Sequence, residues 1–251
     1  MMCVKVVIPA RYGSSRLPGK PLLTLLDKPV IWHVVERCKE AGIEQADIFV
    51  ATDDQRISEM LKGEGIQVVL TSLSHQSGTD RINEVVELKE WRDDTIVVNV
   101  QGDEPMIPPE IIQQLVSFTS SNPFYHLTTA VTPLSSQEDF VNPNVVKAVI
   151  GHNGRALYFT RSASPMNRDN PSDLTFAKRH VGIYAYRVSA LKEFCSYAED
   201  ELESYEKLEQ LRALSHGMSI GVMTFDGVVP HGIDTSDDYE TIKKIMEEKT
   251  F

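Results

Sequence analysis

Three cations, Arg11, Arg16 and Lys20, fall within one ten-residue stretch of the chain. Between them Gly13 and Gly19 permit close backbone approach, and Ser14 and Ser15 add small hydroxyl donors. Backbone N–H groups beside fixed cations suit a triphosphate. A solvated basic loop would have the same composition, so the background matters. The chain carries 25 Lys and Arg against 36 Asp and Glu, a formal net charge of −11. Cations gathered on one loop of so acidic a chain point to a local anion site, and the overall charge argues against non-specific nucleic-acid binding. Two familiar phosphate loops do not fit. A P-loop has four residues between its glycines and then Gly-Lys-Ser/Thr. Here five separate Gly13 from Gly19, and Pro21 stands where the metal-binding hydroxyl belongs. No G-x-G-x-x-G pattern occurs in this loop. A P-loop ATPase and an NAD-dependent dehydrogenase are therefore not predicted.

Carboxylates form the second set. Asp103, in Gln101-Gly102-Asp103-Glu104-Pro105, follows a strongly apolar run. It suits a Mg²⁺ ligand, because that ion takes a few carboxylates plus phosphate oxygens. A turn aspartate reads equally well. Asp234 precedes the last helical stretch, where an N-cap Asp or Thr is equally natural and spacing alone favours a capping role for Asp234. His180 follows Lys178 and Arg179 and could face an anion, though a lone histidine is more often a surface or core residue. Cys3, Cys38 and Cys195 show no metal-ligand spacing and read as small hydrophobes.

The elements that must position these groups come from periodicity. Strands are predicted at Val4 to Ala10, Ile48 to Thr52, Ile66 to Leu70 and Thr95 to Val100. Helices are predicted from Pro29 to Gly42, Gln55 to Gly63, Ile82 to Trp91 and from Pro108 onward. That alternation implies a mainly parallel sheet, whose ligands bind beyond the carboxyl ends of its strands. The loops after all four strands hold the unusual residues: Arg11 to Lys20, Asp53-Asp54, His75 to Arg81 and Gln101 to Glu104. Further on, strands at Leu127 to Thr132, Val145 to Ile150, Ala156 to Thr160 and Val181 to Arg187 have no long helix between them and suggest antiparallel pairing. Helices at Ala190 to Tyr197, Glu203 to His216 and Ser236 to Glu248, with a strand at Ile220 to Phe225, complete the pattern. No apolar run approaches the ~20 residues of a membrane span, and no signal-peptide pattern opens the chain, so a cytoplasmic protein is expected.

Taken together and in order, Ile8-Pro9-Ala10-Arg11, Arg16-Leu17-Pro18-Gly19-Lys20-Pro21, His75-Gln76-Ser77-Gly78-Thr79, Gln101-Gly102-Asp103-Glu104-Pro105, Ala156-Leu157-Tyr158-Phe159, His180-Val181-Gly182-Ile183-Tyr184 and Leu208-Glu209-Gln210-Leu211-Arg212 resemble the 3-deoxy-manno-octulosonate (Kdo) cytidylyltransferases. The resemblance runs from about residue 4 to about residue 245. It implies a three-layer α/β nucleotide-diphosphosugar transferase (Rossmann-like), with a mainly parallel mixed sheet and a β-rich sugar-binding and dimerisation part. One domain would span 1–251, with a nucleotide-binding core at 1–125 and 219–251 and the second part at about 126–218. The implied reaction joins CTP to a 2-keto-3-deoxy sugar acid, releases pyrophosphate and serves lipopolysaccharide synthesis, usually in a homodimer.

The resemblance also implies roles. Ala10, Arg11, Ser14, Arg16, Lys20, Ser77, Gly78, Arg81 and Gln101 would bind CTP, with Lys20, Arg16 and Asp103 catalytic. Asp103 and Asp234 would hold Mg²⁺, which reverses the capping expectation for Asp234. Gln101, Arg161, Arg168, His180, Tyr184, Glu209 and Gln210 would line the sugar pocket. After Arg161 the family has an Ile-Pro-Trp-like stretch, whereas this chain has Ser164-Pro165-Met166-Asn167-Arg168, and 169–178 is short. Those departures admit an 8-amino Kdo analogue as acceptor. A sialic-acid cytidylyltransferase would carry a Gly-Ser-Lys-Gly-like first loop, which is absent. A non-catalytic nucleotide-binding protein is the rival of another class, and Lys20 and Asp103 speak against it. A metal-dependent glycosyltransferase would carry an Asp-x-Asp motif.

Overall fold

The first apolar run becomes β1 (Val4–Ala10) in a computed structural model that describes residues 3–13, 16–75 and 77–248. A short ribbon of β2 (Thr24–Leu25) and β3 (Lys28–Pro29) follows. Then come α1 (Val30–Glu40), β4 (Ile48–Thr52), α2 (Gln55–Lys62), β5 (Gln67–Leu70), α3 (Gly78–Leu88), β6 (Ile96–Asn99) and α4 (Pro109–Ser121). β1 pairs in parallel with β6 on one side and β4 on the other, and β4 pairs in parallel with β5. Every residue of β4 and β6 is buried, as expected of parallel strands covered on both faces. The ribbon was not foreseen. Its turn residues Leu26 and Asp27 both take positive φ, and Leu-Asp lacks the Asn-Gly signature that marks such turns.

The chain divides into two compact units, Met1–Gln113 with Val229–Phe251, and Gln114–Val228. The second unit holds β7 (Leu127–Pro133), α5 (Gln137–Val141), β8 (Lys147–Ile150), β9 (Ala156–Thr160), β10 (Lys178–Arg187), α6 (Val188–Ser196), α7 (Glu201–Glu206), α8 (Gln210–Ser215) and β11 (Ile220–Thr224). β7 pairs antiparallel with β10 and parallel with β11, and β8 runs antiparallel to β9 and β10. β11 lies in this unit, paired with β7. The chain then returns to the first unit with α9 (Ser236–Glu248). None of the helices among the described residues is long and apolar enough to cross a membrane.

Two local outcomes differ from the periodicity. The stretch Glu203 to His216 forms two helices, because Lys207 adopts a left-handed conformation that closes α7. α3 starts a turn early, because the Ser77 hydroxyl accepts the Asp80 amide and caps it. Of the cysteines, Cys38 is buried, Cys3 exposed and Cys195 half-buried, and burial pushes the Cys38 thiol up.

Buried charges in the second unit are matched. Arg212 on α8 makes two bonds, 2.6 and 2.7 Å, to the Glu203 carboxylate on α7, and its guanidinium lies over Phe194. Lys147 is fully buried and donates to the carbonyls of Asn142, Val145 and Arg161. Glu203→Ala strands a buried guanidinium and should destabilise the protein by about 3–5 kcal/mol, whereas the apolar pair Glu203→Leu/Arg212→Met should recover most of that loss. Urea unfolding measures both; a single-mutant loss below about 1 kcal/mol would mean the pair behaves as a surface contact.

Candidate active site

Two parallel strands deliver the centre of the site. β1 ends at Ala10 and hands the chain to the cation loop, and beyond β6 the chain makes the Gln101-Gly102-Asp103 turn. The two loops can lie together because residue 102 has no side chain. A Cβ there would come 2.7 Å from the Pro9 carbonyl oxygen, closer than atoms tolerate. The cation loop folds back on itself, with the Gly19 amide donating to the Tyr12 carbonyl at 2.9 Å. Gly19 takes φ +71 there, against the Tyr12 ring, and a short 3-10 turn then carries Lys20 inward.

The third segment arrives from the end of the chain. The Ile233 amide donates to the Asp103 carbonyl at 2.8 Å. Ile233 itself is fully buried with Leu25, Val30 and Ile242, worth roughly 1.5–3 kcal/mol of burial. With its neighbour anchored on both counts, Asp234 projects beside Asp103. Lys20 Nζ sits 2.6 Å from Asp103 Oδ2 and 3.4 Å from Asp234 Oδ1, and the Arg16 guanidinium lies 3.0 Å from the same Asp234 oxygen. The capping expectation for Asp234 is overturned. Thr235 caps α9: its hydroxyl accepts the Asp238 amide while the Asp238 carboxylate accepts the Thr235 amide. The Asp234 carboxylate is thereby left to the site.

A cleft of about 400 Å³ opens over this cluster. Ala10, Arg11, Arg16, Lys20, Gly78, Gln101, Asp103 and Asp234 all line it. The N-terminal end of α3, at Gly78, is therefore on the cleft wall, where a helix favours anions. Ser14 lies outside the described residues. The Ser77 hydroxyl is committed to Asp80, donating to its carboxylate at 2.9 Å and accepting its amide at 3.0 Å. Arg81 is placed differently. Its side chain is fully buried and donates to Thr71 and, at 2.5 Å, to Asp53 Oδ2. It ties the ends of β4 and β5 together and is not among the residues lining the cleft.

Two carboxylates converging on one point, with cations on the other side, suit a divalent ion shared with phosphate oxygens. The ammonium between them shows that a cation is favoured at that point. Among the described residues no third His, Cys, Asp or Glu joins them, so phosphate and water would complete the ion's shell.

In the second unit, His180 and Tyr184 stand on β10 with ring centroids 5.4 Å apart, and Phe159 packs edge-on to His180. Thr129 reaches into the irregularity of β10, donating its hydroxyl to the Ile183 carbonyl at 2.7 Å. That hydroxyl has one proton, so the 3.0 Å contact with His180 makes imidazole Nε2 the donor. Burial, with Arg179 adding to it, pushes the His180 pKa down to about 3, so the ring is neutral and Nδ1 is left as an acceptor. Burial, then Tyr186 and Glu209, push Tyr184 up, which puts Glu209 near that ring. Gln210 is buried, and its side-chain nitrogen has no hydrogen-bond partner among the described residues. Such an orphan costs ~1–3 kcal/mol unless a ligand takes it.

The two arginines expected here behave differently. Arg161 spends its guanidinium on the carbonyls of Glu206, Pro143 and Lys207, strapping the end of α7. Arg168 is exposed in the loop between β9 and β10. The sequence offered Thr235 as the alternative cap, which the structure adopts, but missed the Arg81–Asp53 tie and a link from Glu84 to His75; for those two, spacing offered no signal.

Comparisons agree with the geometry. The family model described as cytidylyltransferase matches residues 5–220. A 3-deoxy-manno-octulosonate cytidylyltransferase of Alteromonas mediterranea is 47% identical over 247 residues, covering 96% of this chain and 98% of its own. One of Thioalkalivibrio sulfidiphilus is 46% identical over 250 residues, with 98% and 99% covered. Among solved structures, CMP:2-keto-3-deoxy-manno-octonic acid synthetase complexed with CTP superposes with a TM-score of 0.90 at 37% identity, covering 98% of this chain and 99% of that one. With the family model and full-length relatives in agreement, this chain belongs to the 3-deoxy-manno-octulosonate cytidylyltransferase family.

Proposed function

We propose that this protein transfers CMP from CTP to 3-deoxy-D-manno-octulosonate, giving CMP-Kdo and pyrophosphate, with Mg²⁺ held by Asp103 and Asp234. The observation that carries the reading is the cleft in which Arg11, Arg16 and Lys20 face the Asp103–Asp234 pair. Both reactants are anions, so the first task is to bring a carboxylate-bearing sugar to a triphosphate. Arg11 and Arg16 bind phosphate oxygens, and the N-terminal end of α3 adds its partial positive charge. Lys20, freed from the carboxylates, follows the charge that develops on the departing pyrophosphate. Asp103 and Asp234 would hold a divalent ion, which would supply Lewis-acid polarisation of the phosphoryl oxygens. The anomeric hydroxyl attacks the α-phosphorus as the bond to pyrophosphate breaks.

For the sugar, neutral His180 offers Nδ1 to a hydroxyl, and Tyr184, Glu209 and Gln210 add further polar groups. A hydroxyl-rich acceptor matches this hydrogen-bonding chemistry, with its one carboxylate, better than a second phosphate. Kdo is favoured over an 8-amino analogue or a sialic acid by the names its full-length relatives carry. A homodimer, a cytoplasmic location and a product feeding lipopolysaccharide synthesis complete the proposal; Leu157, Met166 and Phe176, exposed on the second unit, offer apolar surface for self-association.

Pyrophosphate release across four nucleoside triphosphates and a panel of keto-sugar acids tests the reading. CTP with Kdo should be fastest, and faster turnover with ATP or GTP would refute it. Asp103→Asn keeps shape but removes a charge, so turnover should fall at least about a hundredfold with an unchanged melting temperature. Asp234→Asn should match it without a loss of helix stability, since Thr235 is the cap; near-wild-type turnover in either variant would remove that residue from the metal site.

The pKa of His180 makes a separate statement. The folded state refuses a proton that the unfolded chain takes below a pKa of about 6.5, so stability should fall as pH drops from about 6.5 toward 3. His180→Gln should flatten that part of the profile, and proton-coupled NMR should find the ring neutral with its proton on Nε2 at pH 6. A charged ring at that pH would contradict the assignment.

A further inference from the structure

Outside the cleft, one carboxylate gathers a whole loop. Glu84, on α3 one turn beyond Arg81, is half-buried and is not among the cleft-lining residues. Its Oε2 accepts the Ser72 amide at 2.8 Å and also meets His75 Nε2. Between those two points the loop is braced internally, with the Ser74 amide on Ser72 Oγ at 3.1 Å and the two serine hydroxyls 2.8 Å apart. The backbone carbonyl of the same His75 then accepts the Arg11 guanidinium at 2.7 Å, and Arg11 lines the cleft. A continuous chain of contacts therefore runs from α3 through the 72–75 loop to a cation of the nucleotide site.

We propose that Glu84 is a positioning residue for nucleotide binding: by fixing the 72–75 loop, it sets the His75 carbonyl that aims Arg11 at the phosphates. This rests on the reading of Arg11 as a phosphate ligand. Loops are the softest part of such a fold, and a long arginine side chain has much rotamer freedom to lose on binding. Holding it in advance by a carbonyl lowers that cost, as preorganisation does generally. The carboxylate itself is kept ionised for the task. Burial opposes its charge, but the Ser72 amide and His75 outweigh burial, and Arg81 helps, so the carboxyl lies below its usual range. Neither Glu84 nor the His75 ring contacts the reacting groups in this scheme, so their loss should show in nucleotide affinity and leave sugar use intact.

The test compares R11A, E84A, E84Q, H75A and E84A/H75A by CTP titration calorimetry, by KM for each substrate and by melting temperature. E84A should weaken CTP binding and raise its KM about tenfold, the scale of one charge-assisted contact, with the sugar KM and melting temperature unchanged. E84Q retains an oxygen acceptor and should restore CTP affinity to within about threefold. H75A removes the ring but keeps the carbonyl; it should resemble E84A, and it decides the matter should E84A fail to fold. The double variant should be no worse than either single one, because both break the same link. Weakened CTP binding in R11A but not in E84A or H75A would overturn this inference and leave the Arg11 reading standing. Unchanged binding in R11A would overturn both. Equal rises in the two KM values with a lowered melting temperature would show a purely structural role.

Discussion

Two carboxylates held toward the same cation dominate this molecule. Asp103 and Asp234 lie 131 positions apart in the sequence, and both reach Lys20. Placed together without a cation they would repel each other, so the fold has to supply the energy that holds them. It does so through the backbone: the Ile233 amide bonds the Asp103 carbonyl, and the Ile233 side chain is buried in a cluster with Leu25, Val30 and Ile242. The last helix can then end its N-terminus on Thr235 and Asp238 and leave Asp234 to the cleft.

The rest of the first unit follows from that demand. β1 and β6 run parallel with Val7 opposite Asn99, so they deliver the cation loop and Asp103 to the same edge. Gly102 allows the loops to touch. Around the rim, α3 acts as a platform. Its Ser77 caps the helix, its Arg81 locks Asp53 and Thr71 behind the cleft, and its Glu84 braces the loop that meets Arg11. Polar residues that look alike in the sequence thus divide into ligand-facing groups and hidden supports.

The second unit handles charge in the opposite manner. Its buried Glu203 and Arg212 are spent on each other, and the buried Lys147 and half-buried Arg161 on carbonyls. What β10 presents is a neutral imidazole beside a phenol, both kept uncharged chiefly by burial. Such groups discriminate hydroxyl patterns by hydrogen bonding, where leaving a buried partner unmet is costly. One unit is therefore built for charge and the other for hydrogen-bond pattern.

How much of this was legible follows physical lines. The strands β1, β4 and β9 match their apolar runs, since burial of a strand is written in its own residues. The cation loop, Asp103 and Lys20 stood out because residue type and a strand end are local properties. The division of Glu203 to His216 into two helices was hidden, because hydrophobic spacing runs on through Lys207 while a single left-handed residue breaks the axis. Arg81 and Arg161 look, by type and position, like anion ligands; only the proximity of Asp53, or of three carbonyls, assigns them elsewhere. Asp234 shows the same limit. Its neighbours in sequence favour a cap, and its place beside Asp103 depends on a hydrogen bond between residues 130 positions apart. The sequence by itself determined which groups could do the chemistry and which elements would carry them. Tertiary structure alone decided which of those groups meet, because contact between distant segments depends on how the core packs and on no local pattern.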